Sequence, residues 1–206
     1  MAVLPTDRFA TTDEPDWWQA EGMRASRSGR VDFSGASLDA ACLLGVPGDY
    51  TTEPDFTGGA IRFVAVQLGG AEALFDAARS HLRALGRTEH PVQRLRFGEV
   101  ATALETGALW LLGAARVLDP PNGAPDVDAA RAYVQMARVA VERVCLDVLE
   151  RCDRAVGARG LGAPGASERV GRDLRLYLRQ PDPDGAAMDA GAFALGRDAR
   201  PLGSDL

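Results

Sequence analysis

No lysine occurs among the 206 residues, so all 23 basic residues are arginine. Schiff-base chemistry and a lysine-dependent phosphate loop are therefore excluded. Isoleucine and asparagine appear once each, at Ile61 and Asn122, which together with the missing lysine points to a high-GC genome rather than to a chemistry. Cysteine is scarce: Cys42, Cys145 and Cys152 are odd in number and form no CxxC pair, so neither a disulfide framework nor a zinc knuckle fits. Buried thiols are expected instead, and no metal. The two histidines, His81 and His90, make no HExxH pattern, no GxSxG is present, and each histidine reads as a surface residue near a helix end. No apolar run approaches the roughly 18 residues of a membrane span, which predicts a soluble protein with no membrane partner. The first residues lack a basic stretch followed by an apolar one, so the cytoplasm is the expected location. A net charge of −6 and a pI near 5.0 argue against nucleic acid as a partner, since that affinity needs a clustered basic surface.

Hydrophobic residues make up 46% of the chain, enough for a substantial core. Residues 1–15 read as an extended lead-in, with Pro5, Pro15 and a Thr/Asp cluster but no periodicity. Residues 16–55 are short pieces punctuated by glycine: Gly22–Ser28 and Arg30–Ser34 predict a β-hairpin, and Ser37–Leu44 a further strand. So little sheet must pack on helices or complete a sheet supplied elsewhere, because an isolated hairpin is marginal in water.

From residue 56 to 181 the spacing becomes helical and predicts a four-helix bundle. Ile61, Val64, Leu68, Ala71, Leu74, Phe75, Ala78, Leu82 and Leu85 recur at three and four residues, and Gly86 ends the stripe. A second stripe runs from Val92 and Leu95 through Val100 and Leu111 to Leu118, stopped by Pro120-Pro121. Asp126 is placed to cap a third helix that carries Ala130 to Val156 before Gly157, and a fourth runs from Ser167 through Leu178 to Pro181. Short Gly/Pro connections imply antiparallel neighbours. Residues 182–206 are rich in Asp, Gly and Pro, which predicts a loosely ordered tail or one lying along a partner. The fold class is thus mainly α, a four-helix bundle preceded by a small partial β-sheet.

Catalytic constellations are nearly absent. Gly58-Gly59 and Gly157-Ala-Arg-Gly160 read as helix punctuation, and Trp17-Trp18 as packing at the lip of a domain. More distinctive is Glu168-Arg169-Val-Gly-Arg172-Asp173-Leu-Arg175, in which Glu168 and Arg172 are spaced for an intrahelical ion pair. Such a cationic face suits either solvent or a pyrophosphate.

These segments, in this order, resemble the second half of an acyl-CoA dehydrogenase. Trp18 through Gly22-Met23-Arg24-Ala25-Ser26 to Val31-Asp32-Phe33 is similar to late strands of that family's middle β-domain. Leu44-Gly45-Val-Pro47-Gly48-Asp49-Tyr50 is similar to the exit loop, Gly58-Gly59-Ala-Ile-Arg62 to the start of the first C-terminal helix, and Glu168-Arg169 with Arg172-Asp173 to its "ER..RD.R" element. The resemblance implies an FAD-dependent enzyme that oxidises the α,β carbon–carbon bond of an acyl thioester, with Arg62 meeting the substrate. It also implies that Arg83 and Arg87 bind the flavin's phosphates, and that Gly157 and Gly160 form a turn reaching the FAD of a neighbouring subunit.

Departures from the family pattern are as informative. A full-length family member has an N-terminal helical domain and early strands that hold the flavin ring, so FAD is expected to be shared with a partner chain or subunit, in a homo-oligomer or with a chain supplying that half. The family's catalytic glutamate aligns with Gln180-Pro181-Asp182, and its alternative position is Ile61. Taking a proton from the carbon beside a thioester needs a carboxylate within hydrogen-bond reach. Asp182 is the remaining candidate base. Two other readings stay open: a non-catalytic assembly subunit, and a flavin monooxygenase of similar fold that needs no such base.

Overall fold

The computed structural model describes residues 1–4, 17–26, 28–162 and 164–196. Most of the expected lead-in and the last part of the expected tail lie outside these residues. Among those described, no helix is long and apolar enough to cross a membrane.

Five main helices follow a single helical turn at Asp55–Gly58. They are α1 (Ala60–Ala84), α2 (Pro91–Leu118), α3 (Val127–Gly160), α4 (Ala166–Tyr177) and α5 (Pro183–Leu195). The first four are the four helices read from periodicity. At α2 and α3 a side chain accepts from an orphan amide of the first turn: His90 Nδ1 accepts from Val92 N with Pro91 in the first turn, and Asp126 Oδ1 accepts from Ala129 N at 3.0 Å.

Side-chain contacts set an up-down-up-down order. Phe75 of α1 stacks on Phe97 of α2 at 5.1 Å between ring centroids, while Gly107 of α2 sits over Leu68, so α2 runs antiparallel to α1. Trp110 of α2 packs on Tyr133 of α3, whereas Gln93 near the start of α2 donates to the carbonyl of Ala155 near the end of α3. Leu174 of α4 meets Gly70, and Tyr177 lies by Gln67, so α4 descends along α1. Val64, Leu74, Val141, Val148 and Leu178 are fully buried at the centre, each contributing roughly 1.5–3 kcal/mol on leaving water. Cys145 and Cys152 are buried as expected, and burial pushes both thiols up to about 12.

Three expectations are corrected. No strand forms among the described residues: Arg24–Ser26 and Ala40–Cys42 are short 3-10 turns, and one isolated antiparallel bridge joins Ala2 to Leu43. A strand needs a neighbour, and this segment finds none, so Val31 and Phe33 stay half exposed and Asp32 Oδ1 instead accepts from Ser34 N within a local turn. The second correction is α5, which forms where a loose tail was expected. Asp182 caps it, Pro183 occupies its first turn, and Ala186 is buried where the helix lies along the first half of α3. The third concerns α2, whose first turns expose Val92 and Leu95, because only the face with Val100, Gly107 and Ala114 meets the bundle.

Close helix approach makes a sharp test. A methyl group at Gly113 would overlap the hydroxyl of the buried Tyr133, whereas one at Gly69 meets open space. Gly113→Ala should lower stability by about 1–3 kcal/mol through overpacking. Gly69→Ala should raise it by about 0.5–1 kcal/mol through helix propensity. Urea unfolding midpoints, displaced in opposite directions, check both.

Candidate functional site

The polypeptide breaks between α4 and α5 at Arg179–Asp182, and the carbonyls released there need donors. Buried Gln67 of α1 supplies one pair: its Nε2 donates to the carbonyls of Tyr177 at 3.1 Å and Gln180 at 3.3 Å. Arg138 of α3 supplies another, its Nη2 donating to the carbonyl oxygens of Pro181 and Asp182. Its guanidinium lies over the Phe63 ring, 5.6 Å from the centroid, and Nη1 donates to Gln135 Oε1. Burial pulls the Arg138 guanidinium below its usual pKa, opposed by the charges of Asp182, Asp189 and Glu142.

Beside this break lies an open cavity of about 660 Å³. Its floor is Phe63, Val66, Arg138 and Tyr177, and its rim is Tyr50, Asp55, Phe56, Arg62 and Pro181. Tyr50 and Phe56 form an edge-to-face pair at 5.7 Å, both well exposed. Size and lining match a small-molecule site, mostly apolar with a few polar groups. Among the described residues no cluster of His, Cys, Asp or Glu could hold a metal ion.

Arg62, the expected substrate residue, faces this cavity, and both positions where the family carries its carboxylate, Ile61 and Gln180–Asp182, lie next to it. Asp182 itself is exposed and adopts a left-handed backbone conformation with φ 42°; its Oδ1 accepts from Gly185 N at 3.0 Å as the cap of α5. It does not line the cavity.

The expected cofactor residues gather at the other end of α1. Arg83 and Arg87 are exposed there, and their side chains have no ion pair or hydrogen bond among the described residues. Gly157 breaks the α3 geometry at φ 65°, and Gly160 lies against His81. Arg159, exposed and equally unpaired among the described residues, joins them. His90 caps α2 on the surface, while His81 is half-buried and its Nε2 has no partner among the described residues. Between Arg62 and Arg83 the helix rises roughly 31 Å.

The "ER..RD.R" element does something other than meet solvent or phosphate. Arg172 pairs with Glu168 at 2.7 Å as its spacing predicts, but its Nη1 also donates to the carbonyl of Glu21, and Asp173 Oδ1 accepts from Met23 N at 2.7 Å. Gly22 is needed there, since a Cβ would stand 2.5 Å from the Arg172 carbonyl oxygen. This face clasps the segment before the bundle. Arg138, Gln67 and the Tyr50–Phe56 pair escaped the sequence reading; the one signal for Arg138 was a charged residue directly after Ala137 in the buried stripe of α3.

The chain belongs to the acyl-CoA dehydrogenase family: the family model for its C-terminal domain matches residues 49–178. Dibenzothiophene monooxygenase of Rhodococcus erythropolis is 26% identical over 94% of this chain and 52% of its own length. Mitochondrial isobutyryl-CoA dehydrogenase of Dictyostelium discoideum is 27% identical over 82% of this chain and 40% of its own. The crystal structure of FMN-bound TdsC from Paenibacillus sp. A11-2 superposes with a TM-score of 0.78 at 24% identity, covering 98% of this chain and 56% of that one. The chain thus spans about half the length of the curated relatives it matches.

The cap assigns Asp182 a testable structural role. Asp182→Asn should preserve α5, because asparagine caps as well as aspartate and tolerates a positive φ. Asp182→Ala should weaken it by about 0.5–2 kcal/mol. Amide hydrogen exchange in Pro183–Leu195, accelerated only by alanine, checks this.

Proposed function

We propose that this chain is the helical half of a flavin-dependent monooxygenase built on the acyl-CoA dehydrogenase fold. The observation that carries the reading is the cavity: at neither position where the family places its base does a carboxylate face it. Ile61 is apolar, Pro181 has no ionisable group, and the carboxylate of Asp182 is engaged at the end of α5. Neither of those two positions supplies a carboxylate for proton abstraction beside a thioester, and the one carboxylate of the lining, Asp55, stands on the rim at neither of them. The likeness to a monooxygenase over 94% of the chain supports the same choice.

The residues at the far end fit a phosphate-bearing cofactor, FMN or FAD. Arg83, Arg87 and Arg159 offer guanidiniums without an ion pair among the described residues, which recognise phosphate through paired N–H donors, and the open space beside Gly157 suits the approach of a ligand. A reduced flavin, when bound, supplies the two electrons that let one oxygen atom of dioxygen enter a substrate while the other leaves as water. In this chain Arg83 and Arg87 hold the cofactor, and the walls of the Arg62 cavity orient the substrate and exclude water. A separation of roughly 31 Å along α1 supports reading the two sets as contributions of different copies to one flavin, with an oligomer as the active form.

Two measurements test this. The flavin-loaded assembly, mixed anaerobically with acyl-CoA thioesters, should keep the absorbance of oxidised flavin; bleaching would restore the dehydrogenase reading. With labelled dioxygen and reduced flavin, the label should enter an organic product.

Arg83→Ala should weaken flavin retention ~10–100-fold, the value of one hydrogen bond between charged groups. Fluorescence titration of flavin into the variant and the unaltered assembly checks it, and equal affinity would remove Arg83 from the cofactor site.

A further inference from the structure

We propose that the cavity beside the α4–α5 break takes a flat, ring-bearing acid, with its oxyanion on Arg62 and its ring against Tyr50 and Phe56. This rests on the monooxygenase reading for its role in catalysis, but on the cavity alone for its chemistry. In a chain of net charge −6, several arginines of the bundle have carboxylate partners: Arg151 with Asp147, Arg154 with Glu150, Arg172 with Glu168, and Arg179, just past α4, with Glu142, whereas Arg143 and Arg169 stand on the surface with no ion pair among the described residues. Arg62 has none among the described residues, although it borders the cavity with its guanidinium folded toward Gly59.

Arg138 does not compete for the same anion. Its donors are taken by Gln135, Pro181 and Asp182, and Asp182, Asp189 and Glu142 answer its charge. It forms the fixed floor with Phe63. Asp55 is the one carboxylate among the lining residues and makes no ion pair with Arg62 among the described residues, so with Arg138 answered by acids Arg62 is the lining guanidinium left to meet an anion. A planar guanidinium suits a carboxylate, sulfonate or phosphate, and the exposed Tyr50–Phe56 pair offers an aromatic edge and face within the same opening. Two sources of that chemistry exist, an acidic aromatic substrate and the phosphate end of the flavin.

The test uses the full chain, a naphthalenesulfonate and its neutral sulfonamide, titrated by calorimetry. The sulfonate should bind roughly tenfold or more tightly than the sulfonamide, the size of one charge-assisted contact. Arg62→Gln should abolish that preference, while Arg143→Gln, an exposed position on α3 outside the cavity, should leave it intact. Arg62 is exposed, so the variant should fold, and an unchanged helical circular dichroism spectrum verifies it. Displacement of the sulfonate by FMN but not by riboflavin identifies the flavin's phosphate as the acid; displacement by neither assigns the site to substrate. Equal affinity for sulfonate and sulfonamide, or a preference that survives in Arg62→Gln, overturns the proposal. None of these arms measures turnover, so a failure of the monooxygenase reading appears only in the oxygen-labelling experiment.

Discussion

Carbonyl oxygens left without amide partners at the end of α4 impose the constraint on which the rest of the site depends. A buried carbonyl that finds no donor costs about 1–3 kcal/mol, and the break at Arg179–Asp182 releases several, those met by Gln67 part-buried and those met by Arg138 at the surface. Gln67 and Arg138 answer them from two different helices, which fixes α4 against α1 and the start of α5 against α3. Gln67 is tied in turn to the core, because the thiol of Cys145 donates to its own carbonyl at 3.5 Å. The cavity exists because the backbone is held at this corner: Tyr177 and Pro181 form one wall and Phe63, under the Arg138 guanidinium, the floor.

How far the sequence could be read follows from the range of the interactions involved. Helices α1 to α4 rest on residues three and four apart, and Asp126 caps from three residues away, so both are visible in a linear text. The failed strands are the opposite case. Arg30–Ser34 alternates as a strand should, but pairing is a property of a neighbour, and the described residues supply none. Helix α5 escaped because glycine and proline were weighed as breakers, whereas Pro183 starts the helix and Ala186 is held by α3, a contact remote in sequence. Arg138 escaped for the same reason. Its partners at Pro181 and Asp182 are more than forty residues away, and a lone arginine in an apolar stripe gives no hint of which carbonyls it will meet.

Family resemblance carried the site further than periodicity did, and it also shows where likeness in order differs from likeness in use. The "ER..RD.R" segment keeps its spacing, yet Arg172 and Asp173 are occupied by the backbone of Glu21 and Met23. Arg172 and Asp173 therefore serve to fasten the segment before the bundle, while Arg175 pairs with Asp153. Sequence spacing identified the Glu168–Arg172 pair correctly; the further partners of that pair depended on a contact about 150 residues away.

Among the described residues, Arg62 at one end of α1 and Arg83 with Arg87 at the other have no carboxylate partner, while acids answer several of the arginines elsewhere in the bundle. Paired surface charges contribute little to stability, and an unpaired guanidinium contributes still less, so folding alone gives no reason to leave these three without acids. A rigid helix holds the two ends roughly 31 Å apart, farther than a flavin mononucleotide reaches, so no single FMN contacts both within one chain. Under the proposed function, the two ends meet one FMN where a second copy brings its Arg83 end to the first copy's Arg62 cavity. Assembly is then a condition of the proposed chemistry, and the length of α1, held in the core by the buried row from Val64 to Leu82, sets the spacing that such an assembly must match.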